Sequence, residues 1–170
     1  MIDSRIAIRI TQAIAFSLAL TLSHAQTPAT DLPTHSKSRP PAVEYLYPEQ
    51  ITLPAGKPTK ITLHFRIAPG LHINSHTPSG EELIPTTLSI PDGSGVHLES
   101  AVYPPGSDFV LPLDPKTRLS VYTGEFTIQA RIVAAAGNHL VEARLRYQAC
   151  DNNVCMPPKT ITAAIDFIGN

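Results

Sequence analysis

Cys150 and Cys155 are the only two cysteines in this chain, separated by Asp151-Asn152-Asn153-Val154 alone. Two thiols this close can close a disulfide, exchange it with another thiol, or supply part of a metal site. As a staple the bond would achieve little, because closing so short a loop removes unfolded-state entropy worth only about 2 kcal/mol. A short loop at a sheet end also leaves a sulfur within reach of an incoming thiolate. On these residues alone a working redox pair and a local clip both stand. A metal site is disfavoured, since two cysteines make at most half of one.

Other side chains with chemical potential are fewer. His72 and His76 flank Asn74 and Ser75, and Met156 adjoins Cys155, so a soft-metal site such as one for copper can be drawn. The histidines are not on one helical face, however, and read better as polar residues at the rim of a site. Glu81-Glu82 is an adjacent carboxylate pair of the kind found on solvated turns, and no serine sits in a nucleophile-elbow context. Net charge is −1 with no block of like charges, which offers nothing to nucleic acid or to an anionic membrane.

The N-terminus sets the redox compartment. Arg5 and Arg9 precede an apolar stretch from Ile10 to Leu22, and Ser23-His24-Ala25 supplies small residues where a signal peptidase reads. Residues 1–25 are therefore expected to be a secretory signal, with cleavage before Gln26. The apolar run falls short of the roughly 20 residues that span a bilayer. Residues 26–41, rich in proline, serine and threonine, are expected to form a flexible leader. Residues 42–170 suit one domain with one core. The mature chain is expected to be periplasmic or secreted, without membrane insertion, and there a cysteine pair is normally oxidised.

The elements that must position the cysteines read as strands. Lys60–Ile67 alternates, with Ile61, Leu63, Phe65 and Ile67 on one face. Leu71–Asn74 is a short extended piece after Pro69-Gly70. Leu83–Ile90 is a further candidate, in which Pro85 argues for an edge or a bulge. Val96–Tyr103 places Val96, Leu98 and Val102 together, and a polar, proline-rich loop is expected over Pro104–Arg118. Glu125–Val133 follows, then a hairpin turn at Gly137-Asn138, then Leu140–Ala149 and Thr160–Phe167. Short strands separated by turn residues point to an all-β antiparallel sandwich, with the immunoglobulin-like class as the default. Period-two parity sets Cys150 opposite the apolar residues, at the solvent side of its strand.

The segment YQACDNNVCMPPKTITAAIDF, Tyr147–Phe167, resembles the active-site hairpin of the N-terminal periplasmic domain of DsbD-type thiol:disulfide interchange proteins. The shared marks are a tyrosine-glutamine pair before the first cysteine, a short loop and a double proline after the second. GLHINSHTP (Gly70–Pro78), LIPTTLSI (Leu83–Ile90), YPPGSDF (Tyr103–Phe109) and LSVYTGEFTI (Leu119–Ile128) resemble that family too, so the likeness spans Val43–Phe167. It implies an immunoglobulin-like fold whose disulfide accepts two electrons from one thioredoxin-fold partner and delivers them to another, with no cofactor and no metal. Carried onto this chain, Cys155 would attack the partner's disulfide and Cys150 would resolve the mixed disulfide. Phe109 would be the aromatic of a cap loop over the sulfurs, with Asp108 the nearby acidic residue. Tyr122 and Tyr147 would line the site. The cysteine spacing is shorter than in family members with five intervening residues. As the chain ends at Asn170, it is expected either to draw its electrons from another protein or to have kept the fold without the shuttling, as a non-catalytic binding or assembly module with an inert structural disulfide.

Overall fold

The computed structural model describes residues 40–46, 50–112 and 114–170. The expected signal, and all but the last two residues of the expected leader, lie outside the described residues. Twelve strands and no helix are present among those described: β1 Val43–Leu46, β2 Gln50–Leu53, β3 Thr59–Ile67, β4 His72–Asn74, β5 Thr87–Ser89 and β6 Val96–Val102, then β7 Ser107–Leu111, β8 Asp114–Tyr122, β9 Glu125–Ala134, β10 Gly137–Tyr147, β11 Ala149–Cys150 and β12 Lys159–Gly169.

Alternation in the four long strands of the sandwich, β3, β9, β10 and β12, dictates the core. In β3 and β9 the inward residues meet as Ile61–Ala130, Leu63–Ile128 and Phe65–Phe126. In β10 and β12 they meet as Val141–Ile165, Ala143–Ala163 and Leu145–Ile161. One sheet runs β1-β3-β9-β6 and another β2-β12-β10-β5, and their apolar faces share a single core. All pairings are antiparallel apart from β2 with β12. The result is an immunoglobulin-like antiparallel β-sandwich.

A third, smaller sheet, β11-β4-β8-β7, grows from one end of the sandwich and carries the cysteines. The chain enters it through a turn at Ala68–Leu71, where the Leu71 N–H donates to the Ala68 carbonyl at 3.1 Å. Pro69 and Gly70 occupy its centre, and Gly70 has φ 79°, the left-handed value that a type II turn needs at that position.

Several expectations require correction. Gly137-Asn138 is not the turn of a hairpin, because β9 and β10 belong to different sheets and the chain crosses the sandwich there. In β6 the register shifts between Leu98 and Ser100. That bulge reverses the parity beyond it, so Ala101 packs inward and Val102 is 62% exposed. Pro104–Arg118 is no loop: β7 and β8 form an antiparallel pair within it. The Leu83–Ile90 candidate contracts to Thr87–Ser89, an edge strand that starts after Pro85.

The packing makes a direct prediction. Ile165 is 1% exposed and Leu140, close to it on the neighbouring strand, is 75% exposed. Ile165→Ala should cost about 2–5 kcal/mol in urea unfolding, and Leu140→Ala should stay within about 0.5 kcal/mol.

Candidate functional site

The cysteines occupy a tight hairpin that continues β10. Tyr147 ends β10, Gln148 interrupts the ladder, and Ala149–Cys150 re-pairs as β11 with β4. Met156 N–H donates to the Ala149 carbonyl at 2.8 Å, returning the chain beside β11. Asp151 shapes the turn: its Oδ1 accepts from the backbone N–H of Asn153 at 2.7 Å and of Val154 at 2.8 Å. The Gln148 side chain spans the two arms, donating to the Met156 carbonyl at 3.3 Å and accepting from Asn74 Nδ2 at 3.2 Å. Cys150 and Cys155 face each other across this hairpin, Cα atoms 3.9 Å apart, joined by a disulfide.

Cys150 also pairs with His72 on β4. Residues directly opposite in a ladder share a face, so His72, Cys150 and Cys155 form one row across three extended segments. Parity sets Cys150 on the face opposite Ala149 and Tyr147, as expected. That face is not at solvent, however. Cys150 is 1% exposed, whereas Cys155 is exposed. The correction arises because β7 and β8 roof this end of the molecule, which no strand pattern in the Pro104–Arg118 segment announced.

Phe109 on β7 lies against His72, ring centroids 4.1 Å apart. Asp108, its neighbour, points the other way by parity and pairs with Arg118 at 3.3 Å, on an exposed face. Gly106, just before β7, lies flush against Ser75, which follows β4, and Ser120 of β8, since a Cβ there would collide with both. Tyr122 is buried on β8 with its ring stacked on Phe126. Its hydroxyl accepts from the His76 N–H at 3.0 Å and donates to the Pro104 carbonyl at 3.0 Å. Tyr147 belongs to the main core beneath the hairpin. A groove of about 620 Å³ opens beside the site, between the Pro69-Gly70 turn, the Thr123–Glu125 turn, Phe109 and Asn152.

His76 is apart from this row: it stacks on Tyr103 at 3.8 Å and its Nδ1 lies 2.9 Å from the Thr86 carbonyl. Met156 packs against the core. Among the described residues, no group of three or more His, Cys, Asp or Glu side chains could hold a metal ion. Glu81 and Glu82 are exposed in the connection between β4 and β5.

The family model for the N-terminal part of thiol:disulfide interchange protein DsbD matches residues 42–166. This chain belongs to the DsbD N-terminal domain family. Among solved structures it is similar to the reduced DsbD N-terminal domain of Neisseria meningitidis, at 20% identity and a TM-score of 0.46, over 68% of this chain and 82% of that one. It is also similar to the N-terminal periplasmic domain of ScsB from Proteus mirabilis, at 18% identity and a TM-score of 0.47, over 73% of this chain and 44% of that one. No curated protein matches the chain by sequence. No helix among the described residues is long and apolar enough to cross a membrane.

Within this DsbD-type domain, His72 and the Asn74–Gln148 link are what the motif alone did not reveal. His72 was legible only as a rim residue, yet it is 2% exposed, and Asn74 is fully buried. His72 Nε2 and Asn74 Oδ1 are buried with no hydrogen-bond partner among the described residues. An orphaned buried polar atom costs on the order of 1–3 kcal/mol, so its retention calls for a reason. The available signal was the polar pair His72 and Asn74 alternating with Leu71 and Ile73, a pattern that buries polar groups if both faces of the strand are covered.

Burial pushes the His72 pKa below its usual 6.5, with the Asp151 carboxylate pulling partly the other way. The folded protein thus favours the neutral ring. As pH falls through about 6.5 the unfolded chain takes up a proton first, and stability is lost from there down to the lower folded pKa. The urea midpoint of the oxidised protein should therefore fall between pH 7.5 and pH 5, and His72→Gln should shrink that fall. An equal fall in both proteins would exclude His72 as its source.

Proposed function

We propose that this domain carries a pair of electrons between thioredoxin-fold partners in the periplasm, by thiol–disulfide exchange at Cys150–Cys155. The observation that carries the reading is the unequal exposure of two bonded sulfurs within a family of interchange proteins: Cys150 is buried in a strand and Cys155 is exposed on the returning arm. An incoming thiolate must approach along the axis of the S–S bond, and only the exposed sulfur offers that approach.

The chemistry follows from this asymmetry. A donor thiolate attacks Cys155 Sγ, the Cys150–Cys155 bond breaks, and Cys150 leaves as a thiolate that takes a proton. The donor's second thiolate then attacks its own sulfur in the mixed disulfide, releasing Cys155 and leaving the donor oxidised. In the reverse sense Cys155 thiolate attacks an acceptor disulfide, and Cys150 resolves the product. Asp151 follows Cys150 directly, and its negative charge disfavours a resting thiolate there, which leaves Cys155 as the better nucleophile.

A Cys150→Ser protein should accumulate a mixed disulfide with a thioredoxin-fold partner, visible as a reducible band on a gel, and Cys155→Ser should accumulate little or none. Both should stay folded, because the loop they close contributes only about 2 kcal/mol. If both variants fold and neither captures a partner, the disulfide is an inert clip and the domain a binding or assembly module.

Phe109 serves this reading as a shield on the Cys150 side of the pair, where it rests on His72, the ladder partner of Cys150. Phe109→Ala should speed alkylation of the reduced thiols while costing less than the roughly 3 kcal/mol or more expected of a core aromatic. Unchanged reactivity with a large loss of stability would make Phe109 an ordinary packing residue.

A further inference from the structure

We infer that His72 is the proton acceptor and donor for Cys150 during exchange, an inference that rests on the redox reading above. Three independent features of the geometry support it. His72 stands directly across the ladder from Cys150 and on the same face, one strand away on the side remote from Cys155. Its ring is 2% exposed, and its Nε2 has no hydrogen-bond partner among the described residues while the disulfide is closed. Phe109 covers the ring, so water has little access to compete for that nitrogen. When the S–S bond opens, Cys150 Sγ is freed to rotate about its χ1 toward the imidazole across the ladder.

The step balances as follows. In resolution, the Cys150 S–H bond breaks and its proton moves to His72 Nε2. The sulfur electron pair forms the bond to Cys155 Sγ, and the bond from Cys155 to the acceptor breaks. The acceptor sulfur leaves as a thiolate and takes a proton from water, and the imidazolium gives up its own proton to solvent once the partner has left. The cysteine pair has then lost two electrons and the acceptor disulfide has gained them. Run backwards, the imidazolium protonates the departing Cys150 when a donor opens the disulfide. A buried thiol surrounded by apolar groups is otherwise a poor source of thiolate, so a local base addresses a specific difficulty of this site.

The charged groups around the ring are consistent with that role. Asp151, at the start of the hairpin turn, favours the imidazolium. Arg66 of β3 lines the same groove between two carboxylates, Glu125 of β9 at 2.8 Å and Glu44 of β1 at 4.0 Å, so this cluster carries a net negative charge, which also favours the imidazolium. Asp108 and Arg118 of the roofing hairpin are likewise paired, on its outer face.

The test uses the reduced full domain and Ellman's reagent under stopped flow. Cys155 attacks the reagent and releases one equivalent of thionitrobenzoate; Cys150 then displaces the second equivalent from Cys155. The second phase reads Cys150 alone. With His72 as base, its rate should be flat across neutral pH, because moving a proton from thiol to imidazole leaves the total charge unchanged, and should fall only as the ring itself becomes protonated. In His72→Phe the second phase should be at least about tenfold slower at pH 7, the change in thiolate fraction for a one-unit shift, and should climb about tenfold per pH unit. The first phase should be unchanged. His72→Gln, which keeps a polar side chain but cannot carry a proton, should behave like His72→Phe and covers the case in which the larger ring prevents folding.

A wild-type second phase that climbs tenfold per unit between pH 6 and pH 8 would overturn the inference without any variant, and so would equal slowing of both phases in His72→Gln. A wild-type protein that never releases the second equivalent would overturn the exchange reading itself, a distinct outcome.

Discussion

The double pairing of β4 is the constraint on which the site depends. Three residues cannot make a strand by themselves, and β4 exists because β8 holds one edge and β11 the other. Its residues are buried on both faces: Ile73 turns to the core beside Tyr122 and Ala149, while His72 turns to the disulfide and Phe109. Cross-links at its end tighten the arrangement. Thr86 Oγ1 donates to the Asn74 carbonyl at 2.6 Å, and Asn74 Nδ2 donates to the Ile84 carbonyl at 3.1 Å. Each such bond stabilises by only about 0.5–1.5 kcal/mol net, yet together they leave β4 one position in which to lie.

A redox disulfide must open without dismantling its surroundings, and the hairpin satisfies this condition through bonds that do not involve sulfur. The Met156–Ala149 backbone bond, the Gln148 bridge to Met156 and the Asp151 turn use no sulfur atom, so opening the S–S bond breaks none of them directly. The disulfide's own contribution is small, about 2 kcal/mol, because the loop is short. Low structural weight and high positional precision are therefore two consequences of one feature, the closeness of Cys150 and Cys155 in sequence.

The long strands were legible because each has one face on the core, so Ile61, Leu63, Phe65 and Ile67, or Val141, Ala143, Leu145 and Tyr147, declare themselves by alternation. Other elements were not, and for identifiable reasons. β7 and β8 pack partly on polar residues of the site rather than on the main core, so Ser107–Arg118 shows no apolar period. The β6 bulge moved Val102 outward, which a strict period-two reading cannot anticipate. Gly137-Asn138 has the composition of a hairpin turn, yet the choice between pairing back and crossing to the opposite sheet is made by tertiary packing. At the site, the motif around the cysteines carried the family, and parity placed Cys150 on the correct face. Its burial depended on a roof that only the tertiary structure supplies.

That roof is built differently from the sandwich. β7 is the outer strand of the third sheet and pairs only with β8, with a register shift between Val110 and Leu111. Phe109 is half-buried and rests on a histidine, so lifting it exposes far less apolar surface than lifting any ring of the main core. Free energy of local opening scales with the apolar contacts and protected hydrogen bonds that are lost, and both are few here. The sandwich below, with Phe65, Phe167 and Tyr147 buried at its centre, is unaffected by such a movement. The ring that rests on His72 therefore hangs from an edge strand, while the cysteines in the same row are held by backbone bonds of their own.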